Sequence, residues 1–152
     1  SDELRYAYDR GGDNVALGRM LTPAQRDRIA RGFVESPPVD LTLPMALAVL
    51  ADYKSPAVDE AAVAAMEGVF SERKLPYWTA AALHGVLSRF EGDQAEKRLA
   101  QLGLIFEGDY GVDGTEARAI WSQARRELKL PKVRPAKVPG REAARVGERT
   151  PP

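Results

Sequence analysis

The spacing of apolar residues predicts helices along most of the chain. The stretch 44–54 is almost wholly apolar, and the stretches 56–70 and 78–90 place apolar residues three and four positions apart. A shorter helix is expected over 93–102 and a longer one over 115–130. Because the first of these stretches is almost wholly apolar, we expect it to be central to the core.

An additional helix is predicted near the N-terminus, within the segment 1–35. Thr22 suits the N-cap, Pro23 the first helical position and Gln25 the third, which together form a capping box, and Gly32 is expected to close the helix. Its apolar side is thin, so this helix gains little from burial by itself. We therefore expect a small N-terminal helical part that depends on a neighbour.

A β-hairpin is predicted between the last two helices. Residues 104–106 and 110–112 favour extended structure, and Gly108 and Asp109 between them favour a turn. The fold class expected from these elements is α+β and mostly helical. A compact mixed α/β domain would cover residues 45–130 and include the hairpin.

A proline-rich connector, residues 36–44, separates the N-terminal part from this domain. Pro37, Pro38 and Pro44 restrict the backbone, and the segment favours polyproline II, which rises about 3.1 Å per residue. Such a segment is expected to act as a stiff strut. Two explanations remain open: the spacing serves a partner that touches both parts, or stiffness was selected for stability alone.

The charges are unevenly distributed although the formal net charge is zero. Residues 36–72 hold six acids and one base, whereas residues 129–152 hold seven bases and two acids. The segment 131–152 combines these bases with prolines and few large apolar residues, which predicts an extended basic tail. A basic tail attracts nucleic acid or an acidic partner, or it is simply a solvated end of the chain.

The chemistry of known active sites is missing from the sequence. There is no cysteine and one histidine, His84, which we place on the polar side of its helix and expect at the surface. No phosphate-binding loop and no nucleophile elbow occurs. We expect no enzyme activity, no cofactor, no metal and no small-molecule substrate. The longest apolar run, 43–51, is shorter than the roughly 20 residues that span a bilayer, and no export signal is recognised, so we expect a cytoplasmic protein without membrane contact.

Three groups of basic residues suggest weak, sequence-independent binding of single-stranded DNA. Cations contact phosphates, and an aromatic ring beside them offers a face on which a base can stack. Tyr77 is the preferred stacking residue, because Trp78 more readily starts the core stripe of its helix. The candidate DNA-binding residues are Arg26, Arg28, Arg31, Arg73, Lys74, Tyr77, Lys132 and Arg134.

The stretch GFVESPPVDLTLPMALAVLADYKSPAVDEAAVAAMEGVFSERKLPYW, residues 32–78, resembles the C-terminal, non-catalytic domain of the F-plasmid-type conjugative relaxase-helicase, the nickase of bacterial conjugation. The resemblance rests on overall likeness and extends over the whole chain. It implies a cytoplasmic accessory domain that supports plasmid DNA transfer through single-stranded DNA contact and assembly of the relaxosome. The nickase tyrosines, metal-binding histidines and helicase phosphate loop of the family have no counterpart here.

A protein-docking scaffold is the alternative function. In that case the acidic stretch 40–72 and the N-terminal helix would bind relaxosome accessory proteins or the coupling protein without any contact to DNA. Salt separates the two functions, because phosphate-driven affinity falls steeply as salt rises and apolar docking does not.

Overall fold

The computed structural model describes residues 13–100 and 114–138, and 67% of these residues are helical. Seven helices follow one another in this part of the chain. They are α1 (13–20), α2 (Pro23–Glu35), α3 (Thr42–Val49), α4 (Pro56–Phe70), α5 (Thr79–Glu91), α6 (Gln94–Leu99) and α7 (Thr115–Glu127).

The predicted α+β fold class is wrong. The described residues contain no strand, so the domain predicted over 45–130 is helical wherever it is described. The hairpin expected at 104–112 lies outside the described residues. The local turn signal was an insufficient argument for a sheet, because a two-stranded hairpin is marginal alone and needs a surface to pack on. Here the apolar sides of the helices cover one another.

Helix α2 begins as predicted and ends later. The Gln25 amide donates to Thr22 Oγ1 at 3.2 Å and the Thr22 amide donates to Gln25 Oε1 at 2.9 Å, which confirms the capping box. The predicted end at Gly32 is wrong, since the helix continues through Glu35. Phe33, only 4% exposed, packs into the core one residue beyond the glycine, and this burial favours continuing the helix.

Helix α3 is shorter than the predicted 44–54. Thr42 is its first residue, and the Thr42 amide donates a hydrogen bond to the Asp40 carboxylate at 2.8 Å. Pro44 lies in the first turn, where the missing N–H disturbs no helical hydrogen bond. The extended part of the predicted connector is therefore limited to about residues 37–39.

Helix α5 lies at the centre and contacts α3, α4, α6 and α7. Its approach to α3 is close, because a Cβ atom added at Gly85 would lie 2.9 Å from the Leu47 Cβ. Helix α4 packs on its other side and buries Val63, Met66 and Val69. The predicted place of α3 in the core is confirmed, because its Leu43 and Leu47 are fully buried. The fully buried large side chains are Leu43, Leu47, Leu50, Met66, Leu75, Leu83, Leu87, Val58, Val63, Val69 and Val86.

The two N-terminal helices pack on this centre. Helix α2 contacts α4 through a side that includes Ala30 and Phe33, which belong to the common core. Helix α1 approaches the end of α3 so closely that a Cβ at Gly18 would lie 2.1 Å from the Val49 carbonyl oxygen. The domain boundary predicted at 35–36 stays a prediction, and residues on both of its sides share one core.

Helix α7 covers the remaining side of α4. The Trp121 ring stacks on Phe70 with centroids 5.8 Å apart, and Ala117 is buried, whereas Ala119 is exposed. The helix ends before Lys129, whose φ of 51° is a left-handed conformation that stops helical hydrogen bonding.

The chain then continues as an extended segment along α4, which we call the C-terminal strap (residues 130–138). Leu130 is buried, Val133 packs against the core, and the Ala136 amide donates to the Ala64 carbonyl at 2.8 Å. Gly68, one turn after Ala64, makes this approach possible: a Cβ there would lie 2.6 Å from the Ala136 carbonyl oxygen. The predicted tail thus begins as a segment without regular secondary structure that is anchored on α4.

Candidate nucleic-acid interface and helical groove

The loop between α4 and α5 carries three of the predicted DNA-binding residues. Arg73 and Lys74 are exposed, and Tyr77 is 36% exposed. Trp78 is 8% exposed, which confirms that it belongs to the core and leaves Tyr77 as the accessible ring. The loop therefore presents two cations and one aromatic face together over five residues.

Arg118 of α7 holds this loop in place. Its guanidinium donates hydrogen bonds to the carbonyl oxygens of Phe70 and Glu72, where α4 ends. These carbonyls have no partner within the helix, because the last turn of a helix leaves its C=O groups unsatisfied. Sequence reasoning missed Arg118, since nothing local in the sequence connects α7 with a loop more than 40 residues earlier.

The three arginines of α2 differ in their surroundings. Arg28 and Arg31 are exposed, whereas the Arg26 guanidinium carbon lies 5.9 Å from the centre of the Tyr53 ring, in a cation–π arrangement. Arg26 Nε and Nη2 are shielded from solvent and have no hydrogen-bond partner among the described residues. The Tyr53 hydroxyl donates to Asp27 at 2.7 Å, and this hydrogen bond raises the pKa of Tyr53. Arg28 and Arg31 are thus the better-placed cations of this helix.

The C-terminal strap presents the third group. Lys132 and Arg134 are exposed, whereas Leu130, Val133 and Ala136 are buried or partly buried. The inward residues anchor the strap, so the two cations project from backbone that is already ordered. Ordering before binding lowers the entropic cost of contacting a ligand.

The three basic groups lie on separate elements that all adjoin α4. Helix α2 and the C-terminal strap contact it, and the α4–α5 loop continues it. Val39 of the connector also contacts α4, because its Cγ1 atom would lie 3.0 Å from a Cβ at Gly68. Of the predicted connector residues, Pro37 and Pro38 are extended and partly buried, and Pro44 is helical.

The acidic stretch 40–72 is largely occupied by contacts within the chain. Asp52 pairs with Arg19 at 2.9 Å, and Asp59 pairs with Arg89 at 2.9 Å. Glu67 accepts a hydrogen bond from Trp121 Nε1 at 3.2 Å and pairs with an arginine of α7. These carboxylates hold helices together, which leaves fewer of them for a docked protein.

A groove of about 770 Å³ lies between α1, α3, α5 and α6. Helix α3 lines it with residues such as Ala48, helix α5 with Ala81 and His84, and helix α6 with Glu96. His84, predicted at the surface, lines this groove with its ring half-buried. Sequence reasoning missed the groove, since the apolar side of α5 alone does not reveal which helices flank it.

Burial determines the protonation of His84. Desolvation lowers the pKa of the imidazole, and the nearby Glu96 carboxylate opposes this shift. A lowered pKa keeps the ring neutral at pH 7, so it adds no positive charge to the groove.

The described residues contain no group of three metal-ligating side chains. None of the helices in the described ranges combines the length and apolar character required to cross a bilayer. No protein-family model, curated protein or solved structure matches this chain. The described ranges 13–100 and 114–138 thus define an all-helical domain with exposed basic groups and one flanking groove.

Proposed function

We propose that this chain is a non-catalytic, cytoplasmic accessory domain that binds single-stranded DNA weakly and without sequence preference. Its biological role would be support of plasmid DNA transfer within a conjugative relaxase-helicase, where it would also help to assemble the relaxosome. The observation that carries the proposal is the ordered presentation of Lys132 and Arg134 on a strap whose apolar residues are anchored on α4.

The α4–α5 loop supports the same proposal. Arg73 and Lys74 are exposed beside the accessible ring of Tyr77, and Arg118 immobilises the backbone before them. In proteins that bind single strands, each stacked base contributes about 1–3 kcal/mol to the binding free energy, and stacking requires no particular base sequence. Phosphate contacts by the cations would supply most of the remaining affinity.

Fluorescence anisotropy of a labelled oligothymidine at several salt concentrations tests the proposal. Each phosphate contact contributes a slope of about −0.7 to the log-log dependence of affinity on salt, so Arg73→Gln with Lys74→Gln is expected to reduce the slope by about 1.4. Tyr77→Ser is expected to weaken binding with an unchanged slope. The matched control is Lys54→Gln with Lys97→Gln, which removes two exposed charges outside the three basic groups.

Two outcomes contradict the proposal. Absence of salt-dependent binding by the unaltered chain excludes DNA contact altogether. Equal weakening by the control pair and by the Arg73 and Lys74 pair indicates attraction to net charge without a defined surface.

A second candidate function is protein docking without DNA contact. The observation that favours it is the exposure of large apolar side chains on α1 and α3, where Met20 is 82%, Leu17 47% and Met45 40% exposed. Apolar docking predicts affinity for a relaxosome or coupling protein that changes little with salt. The salt series described above therefore distinguishes the two functions.

A further inference from the structure

The groove between α1, α3, α5 and α6 is lined by small side chains at helical spacing. Ala48 lies on α3 and Ala51 just after its end, and Ala81, Gly85 and Ser88 lie on α5, all of them partly exposed. Small residues at positions i, i+3, i+4 and i+7 leave a shallow channel along a helix, into which the ridge of another helix fits at an interaxial distance of about 8–10 Å.

The length of the groove also fits a helix. On α5 its lining residues extend from Ala81 to Arg89, eight helical steps that span about 12 Å at 1.5 Å per residue. About two turns of a partner helix cover that distance. The groove is bounded by helices along its sides, so its apolar surface is elongated like that of known helix-binding grooves.

The charge of the groove indicates which kind of helix it accepts. Arg19 is neutralised by Asp52, and Arg89 by Asp59 together with the carbonyl oxygens of Leu50 and Tyr53. Asp93 and Glu96 also line the groove, and neither forms an ion pair with another described residue. The local excess of charge is therefore negative, which repels phosphate groups and attracts lysine and arginine.

We infer that this groove binds a basic amphipathic helix of a partner protein. The apolar stripe of that helix packs on the small residues of α3 and α5, and its flanking lysine or arginine side chains face Asp93 and Glu96 on α6. The inference goes beyond the proposed DNA contact, because it uses none of the cations that the DNA interface requires. Failure of this inference is detected with helical peptides, whereas failure of the proposed function is detected with DNA.

A displayed peptide library tests the inference on the full chain. The library consists of peptides of about 16 residues with one apolar stripe, flanked at random by lysine, arginine, glutamate or aspartate. Selection is expected to enrich basic flanks. In the NMR spectrum, the enriched peptide is expected to shift the amide signals of Ala48, Ala81 and His84. The inference is overturned if the selection enriches acidic flanks or retains no helical peptide. It is also overturned if the amide signals shift only on other surfaces.

Two pairs of variants separate the groove from the rest of the surface. Glu96→Lys is expected to lower the affinity of the enriched peptide about fivefold, because attraction is lost and repulsion is introduced. Glu116→Lys on α7 is expected to change that affinity by less than about twofold. Ala81→Trp fills the groove and is expected to abolish binding, and the exposed Ala119→Trp is its control. Circular dichroism verifies that each variant folds. Should Ala81→Trp fail to fold, Glu96→Lys alone tests the inference, because Glu96 is exposed and its replacement leaves the core unchanged. Unchanged affinity in Glu96→Lys contradicts the inference.

Discussion

The Arg89 side chain of α5 donates from Nε to the Asp59 carboxylate of α4 at 2.9 Å while only 3% of that arginine side chain is exposed. The same guanidinium donates to the carbonyl oxygens of Leu50 at 2.6 Å and Tyr53 at 2.7 Å. One buried cation thereby joins the end of α3, the start of α4 and the end of α5. The carbonyls it satisfies follow the last turn of α3, where helical partners run out.

Replacing Arg89 by Met is expected to lower the free energy of unfolding by about 3 kcal/mol. The substitution keeps the apolar stem but removes the guanidinium donor of the Tyr53 carbonyl and the Asp59 carboxylate, whereas the Leu50 carbonyl still accepts from the Tyr53 amide. Losing a charged donor at so buried a position is costly. The free energy of unfolding of Arg89→Lys is expected to lie between those of the unaltered chain and Arg89→Met, because one ammonium group does not reach all three acceptors. Urea denaturation monitored by circular dichroism measures the change.

The control for Arg89 is the exposed Arg28→Met on α2, which is expected to change the free energy of unfolding by less than about 0.5 kcal/mol. If both variants have the same stability, the buried hydrogen bonds of Arg89 do not stabilise the helix junction.

Gly68→Ala is expected to release the C-terminal strap from α4. The new Cβ would lie 2.6 Å from the Ala136 carbonyl oxygen, so either the strap or the helix has to move. Amide hydrogen exchange at Ala136 is expected to become faster as its hydrogen bond to Ala64 is lost. If the proposed function is right, DNA affinity also falls, because Lys132 and Arg134 lose their ordered backbone.

Gly32→Ala on α2 is the matched control, since a Cβ at this helical position meets nothing within 4 Å. Alanine is the better helix former by about 1 kcal/mol, so this variant is expected to be more stable than the unaltered chain. A loss of stability in both glycine variants would show that crowding by the strap is not the cause.

Arg118→Met is expected to loosen the α4–α5 loop. Two carbonyl oxygens at the end of α4 lose a charged donor, and each such hydrogen bond contributes about 1.5–3 kcal/mol when intact. Faster amide exchange over residues 71–74 and a lower urea midpoint are the expected readouts. The exposed Arg126→Met on the same helix is the control, and similar exchange in both variants would argue against an anchoring role of Arg118.

His84 is expected to make stability depend on pH below about 6.5. Burial lowers its pKa below the ordinary value of 6.5, so the unfolded chain takes up the proton more readily than the folded chain. The contribution is complete above pH 6.5 and is lost as the pH falls toward the folded pKa. The charged groups that line the same groove are Arg19, Asp52, Arg89, Asp93 and Glu96.

The measurement is the urea midpoint of the unaltered chain and of His84→Gln at several pH values. His84→Gln is expected to flatten the decline that begins as the pH falls below about 6.5. The surface carboxylates Asp52 and Glu127 act at lower pH, because ion-pairing hydrogen bonds with Arg19 and Arg98 lower their pKa values from the ordinary 3.8 and 4.5. An identical decline in both chains would exclude His84 as the titrating group.

Much of the local structure was predictable from residue patterns. Thr22, Pro23 and Gln25 start α2 as expected, and Ser55 with Pro56 start α4, because capping depends on neighbours only three positions apart. The exposed positions of Arg73 and Lys74 also followed from the polar loop between two apolar stripes.

The candidate site was less predictable. The partial burial of Arg26 against Tyr53, the position of His84 in the groove and the anchoring of the loop by Arg118 all join segments that are distant along the chain. The β-hairpin failed as a guide to the fold class for the same reason, since a turn signal carries no information about what the segment packs on.

The sequence by itself determined where most helices begin and which of their sides are apolar, because these properties follow from hydrogen bonds and spacings within a few residues. Tertiary structure alone decided that α5 lies at the centre, that the C-terminal strap lies on Gly68, and that Arg89 joins three helices. Such choices depend on which apolar surfaces fit together and which buried polar groups find partners, and both are properties of the packed chain.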